Sequence, residues 1–143
     1  MLNPGKAVKV TIYLSEGTTH RGVPVYSSIL DFLFYHGVAG ATVTKGIAGF
    51  GADHHMHSAS TVEISDHLPL KVEFIETREK VDSLLSKLEE LAGTGLIEVQ
   101  ETTVAKPAQV SKTTEPKAES NTGHGGSGFH RRPMERLRKL FRL

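Results

Sequence analysis

A loop spaced by glycines follows a β-rich run near the middle of the chain, and its residue types suit ligand binding. The run covers residues 41–45, and the loop contains Gly46, Gly49, Phe50 and Gly51. Glycine lacks a Cβ atom, so it reaches φ > 0 easily and lets the backbone approach a ligand closely. Successive N–H groups in such loops form concave sites that accept anions, including phosphate. The pattern predicts a ligand site, with an ordinary tight turn as the alternative.

Side chains that can ligate a metal ion come directly after this loop. They are Asp53, His54, His55 and His57. Neutral imidazole and carboxylate suit zinc, nickel and copper, and His55 and His57 are spaced so that both can reach one ion in an extended loop. No CxxC or HExxH pattern accompanies them. Two interpretations stay open: a metal site at His54, His55 and His57, or histidines that hydrogen-bond a ligand or face solvent.

Three basic residues are candidates for binding a phosphate group, and they are Arg21, Lys45 and Lys71. Charge-assisted hydrogen bonds to phosphate are strong, although each residue fits a solvated strand or loop equally well. The chain shows no recognisable nucleophile–base pair and no serine on a glycine elbow, so the sequence predicts a protein that is not an enzyme. The absence of cysteine excludes disulfides, iron–sulfur clusters and thiol nucleophiles.

The pattern of apolar and β-branched residues predicts the elements that must position these side chains. Strands are expected over residues 8–14, 39–45, 68–75 and 96–104, with a short extended piece at 61–64. Helical spacing predicts a first helix with Pro24 at position N1 and Gly37 at C′, and a second helix after an N-cap at Thr77. This order predicts an α+β fold of the ferredoxin-like βαββαβ type, with both helices on one face of an antiparallel sheet. The other face would be open, which favours oligomerisation.

Composition divides the chain into three predicted parts. Residues 1–104 form a folded domain, residues 105–128 a flexible low-complexity linker, and residues 129–143 a basic amphipathic tail with a short helix. The net charge of +1 conceals an asymmetry, because residues 1–103 carry eight Lys or Arg against thirteen Asp or Glu, whereas residues 131–143 carry six against one. The tail therefore predicts docking to a partner protein or an anionic membrane. It lacks an aromatic stacking platform, so nucleic acid binding is not expected.

Several segments match a known pattern. They are Gly-Val-Pro-Val-Tyr26, Gly-Val-Ala-Gly-Ala-Thr-Val43, Gly-Phe-Gly51, His57 and Leu-Pro-Leu-Lys-Val-Glu73. Together they resemble a bacterial and archaeal family of P-II-like proteins, the domain of unknown function 190, over about residues 7–103. A more distant similarity to nitrogen-regulatory P-II proteins rests on Gly-Phe-Gly51 and on the strand at 68–72.

The resemblance implies a homotrimer that binds a nucleotide in clefts between subunits. Residues 52–66 would be a mobile loop that reports occupancy to a partner protein, for example a membrane transporter. P-II proteins hold phosphates with a loop rich in Gly and Lys after the second helix. The corresponding residues 92–96 contain no lysine, which favours AMP or ADP over ATP.

Three interpretations of function follow. The favoured one is a P-II-like signalling protein in the cytoplasm, since no segment approaches the 18 apolar residues of a membrane span; the tail or a partner could attach it to a membrane. The second is a metal-responsive protein of the same fold that binds zinc through His54, His55 and His57. The third is a structural assembly subunit without a ligand.

Overall fold

The structure, a computed structural model, describes residues 2–59 and 67–109. In chain order the elements are β1 (Gly5–Ser15), β2 (Thr19–His20), β3 (Val23–Pro24), α1 (Val25–Tyr35), β4 (Ala41–Lys45), β5 (Ala48–Gly49), β6 (His57–Ser58), β7 (Pro69–Glu76), α2 (Arg78–Ala92) and β8 (Leu96–Val104). None of the helices in these residues is long and apolar enough to cross a membrane.

The four longer strands form one sheet in the order β4-β7-β1-β8, and every neighbouring pair is antiparallel. At the centre of the sheet, Val10 on β1 lies opposite Phe74 on β7 and Val99 on β8. This order, with one helix in each crossover, is the ferredoxin-like arrangement. The predicted α+β fold class is therefore confirmed. The predicted extended piece at 61–64, the linker from residue 110 onward and the C-terminal tail lie outside the described residues.

Two short ribbons, β2–β3 and β5–β6, are additions that the sequence did not predict. The first is a hairpin in which His20 pairs with Val23, so the turn consists of Arg21 and Gly22. Both turn residues have positive φ, 52° and 76°, as a type I′ turn requires. Pro24 ends this ribbon and occupies the N-cap position of α1, so the helix begins at Val25, one residue later than predicted.

Helix α1 ends with the backbone pattern known as the Schellman motif. The Gly37 N–H donates to the Phe34 carbonyl at 3.1 Å, and the Val38 N–H donates to the Leu33 carbonyl at 3.1 Å. Gly37 has φ 65°, a conformation that glycine adopts without steric cost. The prediction of Gly37 at C′ is thus confirmed.

Helix α2 begins at the predicted cap. The Thr77 hydroxyl accepts a hydrogen bond from the Lys80 N–H at 3.3 Å, and Thr77 itself is extended, with φ −66° and ψ 154°. The cap gives a partner to an N–H group that the helix cannot satisfy internally.

Replacing Thr77 with alanine is expected to lower the free energy of unfolding by about 1 kcal/mol, because the Lys80 N–H loses its acceptor. Urea denaturation of both proteins measures this difference. Thr77→Ser is the matched control, since it keeps the hydroxyl and removes only the methyl group. If Thr77→Ser lowers the free energy of unfolding as much as Thr77→Ala does, Thr77 stabilises the protein through packing of its methyl group and not through the cap.

One apolar core lies between the sheet and the two helices. It contains side chains with no more than 1% exposure from strands and helices alike: Val10, Ile12, Val72, Ile29, Leu33, Val81 and Leu88. Alternation along β1 and β7 sends every second residue into this core. Burial of each such side chain stabilises the fold by about 1.5–3 kcal/mol.

The face of the sheet that lies away from the helices is polar and paired internally. The Lys9 ammonium lies 2.8 Å from the Glu73 carboxylate, which also accepts a hydrogen bond from the Thr11 hydroxyl at 3.4 Å. The hydrogen bond from Lys9 is the main cause that lowers the pKa of Glu73, and the same contact raises the pKa of Lys9. Next to it, the Tyr13 hydroxyl donates to Glu98 at 3.2 Å.

Candidate functional site

A cleft of about 790 Å³ lies at the end of the sheet where β1 finishes and β7 and β8 begin. Four segments contribute lining residues: the end of β1 with the turn after it, residues 49–53 with His57, residues 67–70, and the turn at 92–96. The volume falls within the range of roughly 300–1,000 Å³ that is usual for small-molecule sites. The predicted residues Gly49, Phe50, Gly51 and His57 all lie in this lining.

Backbone hydrogen bonds fasten the base of the glycine loop to the sheet. The Gly46 N–H donates to the Pro69 carbonyl at 2.7 Å, at the first residue of β7. Gly49 then pairs with His57 across the β5–β6 ribbon, and the Ala59 N–H donates to the Ile47 carbonyl at 2.9 Å. The ribbon therefore carries the chain away at residue 50 and brings it back at His57, beside the same cleft.

Two of the loop glycines, Gly46 and Gly49, are constrained by packing and not by backbone conformation. Positive φ was expected, yet Gly46, Gly49 and Gly51 all lack it, so that expectation is wrong. Instead, a Cβ atom on Gly46 would lie 2.8 Å from Cγ of Pro69, and one on Gly49 would lie 3.1 Å from the same atom. A side chain at Gly46 would therefore displace the proline ring, and one at Gly49 would be tight against it.

Gly51 is different, because the chain leaves room for a side chain there. A Cβ atom at this position would meet only Asp53 Oδ1, at 3.9 Å, which is an ordinary contact. Any requirement for glycine at position 51 must therefore come from something outside this fold, such as a bound ligand or a second subunit.

The histidines of the predicted metal site do not converge on one point: His54 contacts Phe50, whereas His55 and His57 contact different atoms of Asp53. The His54 ring stacks on Phe50 with 6.0 Å between centroids, and His55 Nδ1 lies 3.0 Å from the Asp53 carbonyl oxygen. His57 Nε2 lies 3.7 Å from Asp53 Oδ2. Across the two described stretches, 2–59 and 67–109, no group of three or more His, Asp or Glu is arranged to hold a metal ion. Metal binding by His54, His55 and His57 stays a prediction without support from the geometry.

Asp53 is the carboxylate of the cleft. Its Oδ1 accepts a hydrogen bond from the His55 N–H at 3.2 Å, and this bond is the main cause that holds the pKa of Asp53 below its usual value. The carboxylate is therefore charged at neutral pH. Its other oxygen, Oδ2, lies 3.7 Å from Nε2 of His57. Asp53 is nevertheless exposed and lines the cleft, so its negative charge borders the ligand space.

His67 is a cleft residue that the sequence did not predict. The Ser15 hydroxyl donates to its carbonyl oxygen at 3.3 Å, which holds this residue beside the end of β1. Its ring meets that of His57 edge-on, with 5.7 Å between centroids. No motif marks His67, because only the pairing of β1 with β7 and of β5 with β6 brings the two imidazoles together.

The three predicted phosphate-binding cations lie elsewhere in the chain. Lys45 Nζ is paired with Glu16 at 2.7 Å, and Lys71 lies on the polar face of β7, 3.7 Å from Glu73. Arg21 is at the tip of the β2–β3 hairpin. None of them lines the cleft, so their contact with phosphate stays a prediction that requires another subunit.

Comparison with known proteins identifies the family. Residues 7–104 match the domain of unknown function 190, described as "Uncharacterized ACR". A UPF0166 protein of Methanocaldococcus jannaschii is 34% identical over 102 residues, which are 71% of this chain and 94% of that protein. A UPF0166 protein of Aquifex aeolicus is 33% identical over 95 residues, or 65% of this chain and 88% of that one.

Solved structures with the same fold include those of P-II-like proteins. The nitrogen regulatory PII-like protein CPII from Thiomonas intermedia, bound to ADP, AMP and bicarbonate, gives a TM-score of 0.54 at 22% identity, over 71% of this chain and 90% of CPII. A putative PII-like signalling protein from Thermus thermophilus gives 0.53 at 17% identity, over 73% and 94%. On the sequence matches, with this fold in agreement, the chain belongs to the family of domain of unknown function 190.

Proposed function

We propose that the protein is a P-II-like regulatory protein that binds an adenine nucleotide in the cleft between the glycine loop and the turn at 92–96. The observation that carries the proposal is the cleft itself, which gathers Gly49, Phe50, Gly51 and His57 from one loop. The fold supports it, because CPII shares this fold and its structure was determined with ADP and AMP. Binding at such a site requires no catalytic chemistry.

The make-up of the cleft favours a nucleotide with few phosphates. Leu14, Leu70 and Leu96 give it apolar walls, and Phe50 adds an exposed aromatic ring that can stack on a base. The described lining residues include neither Lys nor Arg. A polyphosphate would bring several negative charges to a site where this chain supplies no permanent cation. AMP or ADP is therefore the expected ligand, and ATP is expected to bind less tightly.

A homotrimer would complete the site. The cleft opens beside a polar sheet face in which the charges of Lys9 and Glu73 are already paired. A neighbouring subunit could therefore cover this face without leaving either charge unpaired. Arg21, Lys45 and Lys71 lie outside the cleft of their own chain, and a neighbouring subunit could bring them to the phosphate of the bound nucleotide.

The signal would pass through the loop that starts at the cleft. A nucleotide that prefers one arrangement of residues 52–66 shifts the loop population by its difference in affinity alone. The ordered loop would then be recognised by a partner protein, for example a membrane transporter. The basic tail at 129–143 would add attachment to that partner or to an anionic membrane, and three tails on one trimer would act together.

Isothermal titration with AMP, ADP, ATP, adenosine and zinc ions, combined with light scattering, tests the proposal. We expect saturable binding of AMP or ADP with a Kd on the order of micromolar, about −8 kcal/mol, to particles of three times the chain mass. Binding of zinc alone would favour the metal-responsive alternative. A protein that binds none of these compounds would leave the structural assembly subunit as the better account.

A further inference from the structure

Two imidazoles that belong to different strand pairings meet inside the cleft. His57 belongs to β6 and is three-quarters buried, whereas His67 precedes β7 and is exposed. Their rings stand edge to face with 5.7 Å between centroids, and both residues line the cleft. The chain separates them by ten residues, so their meeting results from the two strand pairings and not from local sequence.

We propose that His67, together with His57, recognises the anionic group of the ligand in this cleft. The inference rests on the proposed function, in which that ligand is a nucleotide, and it assigns the phosphate to these two side chains. An imidazole can donate a hydrogen bond from a ring N–H, and it adds a positive charge when it is protonated. Two neighbouring donors suit the several oxygens of a phosphate monoester.

The charges around the pair support this assignment. Within the described lining, the two histidines are the side chains that can become cationic, since Lys and Arg are absent there. The other ionisable side chains of the lining are Asp53 and Tyr13. Asp53 accepts a hydrogen bond from the His55 N–H and faces His57, and the Tyr13 hydroxyl donates to Glu98. Asp53 can only accept hydrogen bonds and the Tyr13 hydroxyl is already engaged, so the two histidines are the ionisable side chains of the lining that can donate to an anion.

The substitution that tests His67 is His67→Ala, because it removes the ring and keeps the backbone. The contact that holds this residue, from the Ser15 hydroxyl, goes to its carbonyl oxygen and survives in the variant. Titration with AMP and with adenosine separates the phosphate from the rest of the ligand, since adenosine lacks the anionic group. We expect His67→Ala to bind AMP about tenfold or more weakly, the loss typical of a hydrogen bond to a charged group, and to bind adenosine as the wild type does.

Two further variants sharpen the test. His20→Ala removes an imidazole that does not line the cleft, and its affinity for both ligands should be unchanged. His67→Arg replaces the imidazole with a permanent cation that can donate to phosphate, so it should keep a preference for AMP over adenosine.

The outcomes separate the inference from the proposed function. If the wild-type protein binds neither AMP nor adenosine, both fail. If the wild type binds AMP but His67→Ala weakens AMP and adenosine equally, or weakens neither, only the role of His67 is wrong. If AMP binds only with added zinc and a chelator abolishes binding, the imidazoles hold a metal ion and the inference is overturned.

Discussion

Replacing Gly95 with alanine is expected to destabilise the protein by about 1–3 kcal/mol, the usual cost of inserting atoms into a packed site. The Cβ atom would lie 2.8 Å from the carbonyl oxygen of Tyr13 and 2.8 Å from Cδ2 of Leu14. The leucine methyl can move, but the carbonyl oxygen belongs to the central strand β1, where Tyr13 is paired with Leu96 on β8 and Lys71 on β7. Relief would require the turn after α2 to move away from the sheet.

Thermal or urea denaturation of Gly95→Ala measures this loss. Gly40→Ala is the matched control, because a Cβ atom there would have nothing within 4 Å and its φ is not positive. The control should unfold as the wild type does. If both variants are equally stable, the turn is not packed against β1 in this way. The turn would then not form a wall of the cleft as described.

Replacing Gly51 with alanine is expected to weaken nucleotide binding at least about tenfold, or about 1.4 kcal/mol, without changing stability. Gly51 lines the cleft, and the fold has room for the extra methyl group, whose nearest neighbour would be Asp53 Oδ1 at 3.9 Å. A side chain there would therefore leave the apo protein intact and obstruct only what enters the cleft.

A comparison of Gly51→Ala with Gly46→Ala separates ligand effects from folding effects. At Gly46 the Cβ atom would lie 2.8 Å from Cγ of Pro69, so this variant should lower stability as well as affinity. At Gly51 affinity alone should change. If Gly51→Ala lowers the melting temperature as much as Gly46→Ala does, position 51 is constrained by the fold and not by a ligand.

The fold could be predicted because its signals are local. Alternation along residues 68–75 separates the core side chain Val72 from the polar-face side chain Glu73. The N-cap at Thr77 and the C′ glycine at position 37 act within one helical turn. Such features require no knowledge of distant partners, so the order of helices and strands follows from the sequence.

The short ribbons could not be predicted in the same way. β5 and β6 contain two residues each, and their pairing of Gly49 with His57 spans a loop. Periodicity has no meaning over two residues, so a ribbon of this kind becomes visible only in three dimensions. The same pairing decides which histidine reaches the cleft, and it explains why His57 does while His54 stacks on Phe50 instead.

The positions of the candidate cations depend on the fold and not on residue type, and their contact with phosphate stays a prediction. Lys71 alternates with the core residues Leu70 and Val72, so it must lie on the opposite face of the sheet, and it does so beside Glu73. Lys45 has Glu16 as a partner from a distant part of the chain. The close approach of Pro69 to Gly46 is likewise a long-range packing contact, which local sequence patterns do not reveal.

Binding of a nucleotide between the glycine loop and the turn at 92–96 can be checked by titrating AMP into the wild-type protein and Gly51→Ala side by side. We expect saturable binding to the wild type, with a Kd on the order of micromolar, and binding at least about tenfold weaker in a variant that melts at the same temperature. Equal affinities in the two proteins would contradict the location of the site. Failure of the wild type to bind AMP or ADP would contradict the proposal that the ligand is an adenine nucleotide.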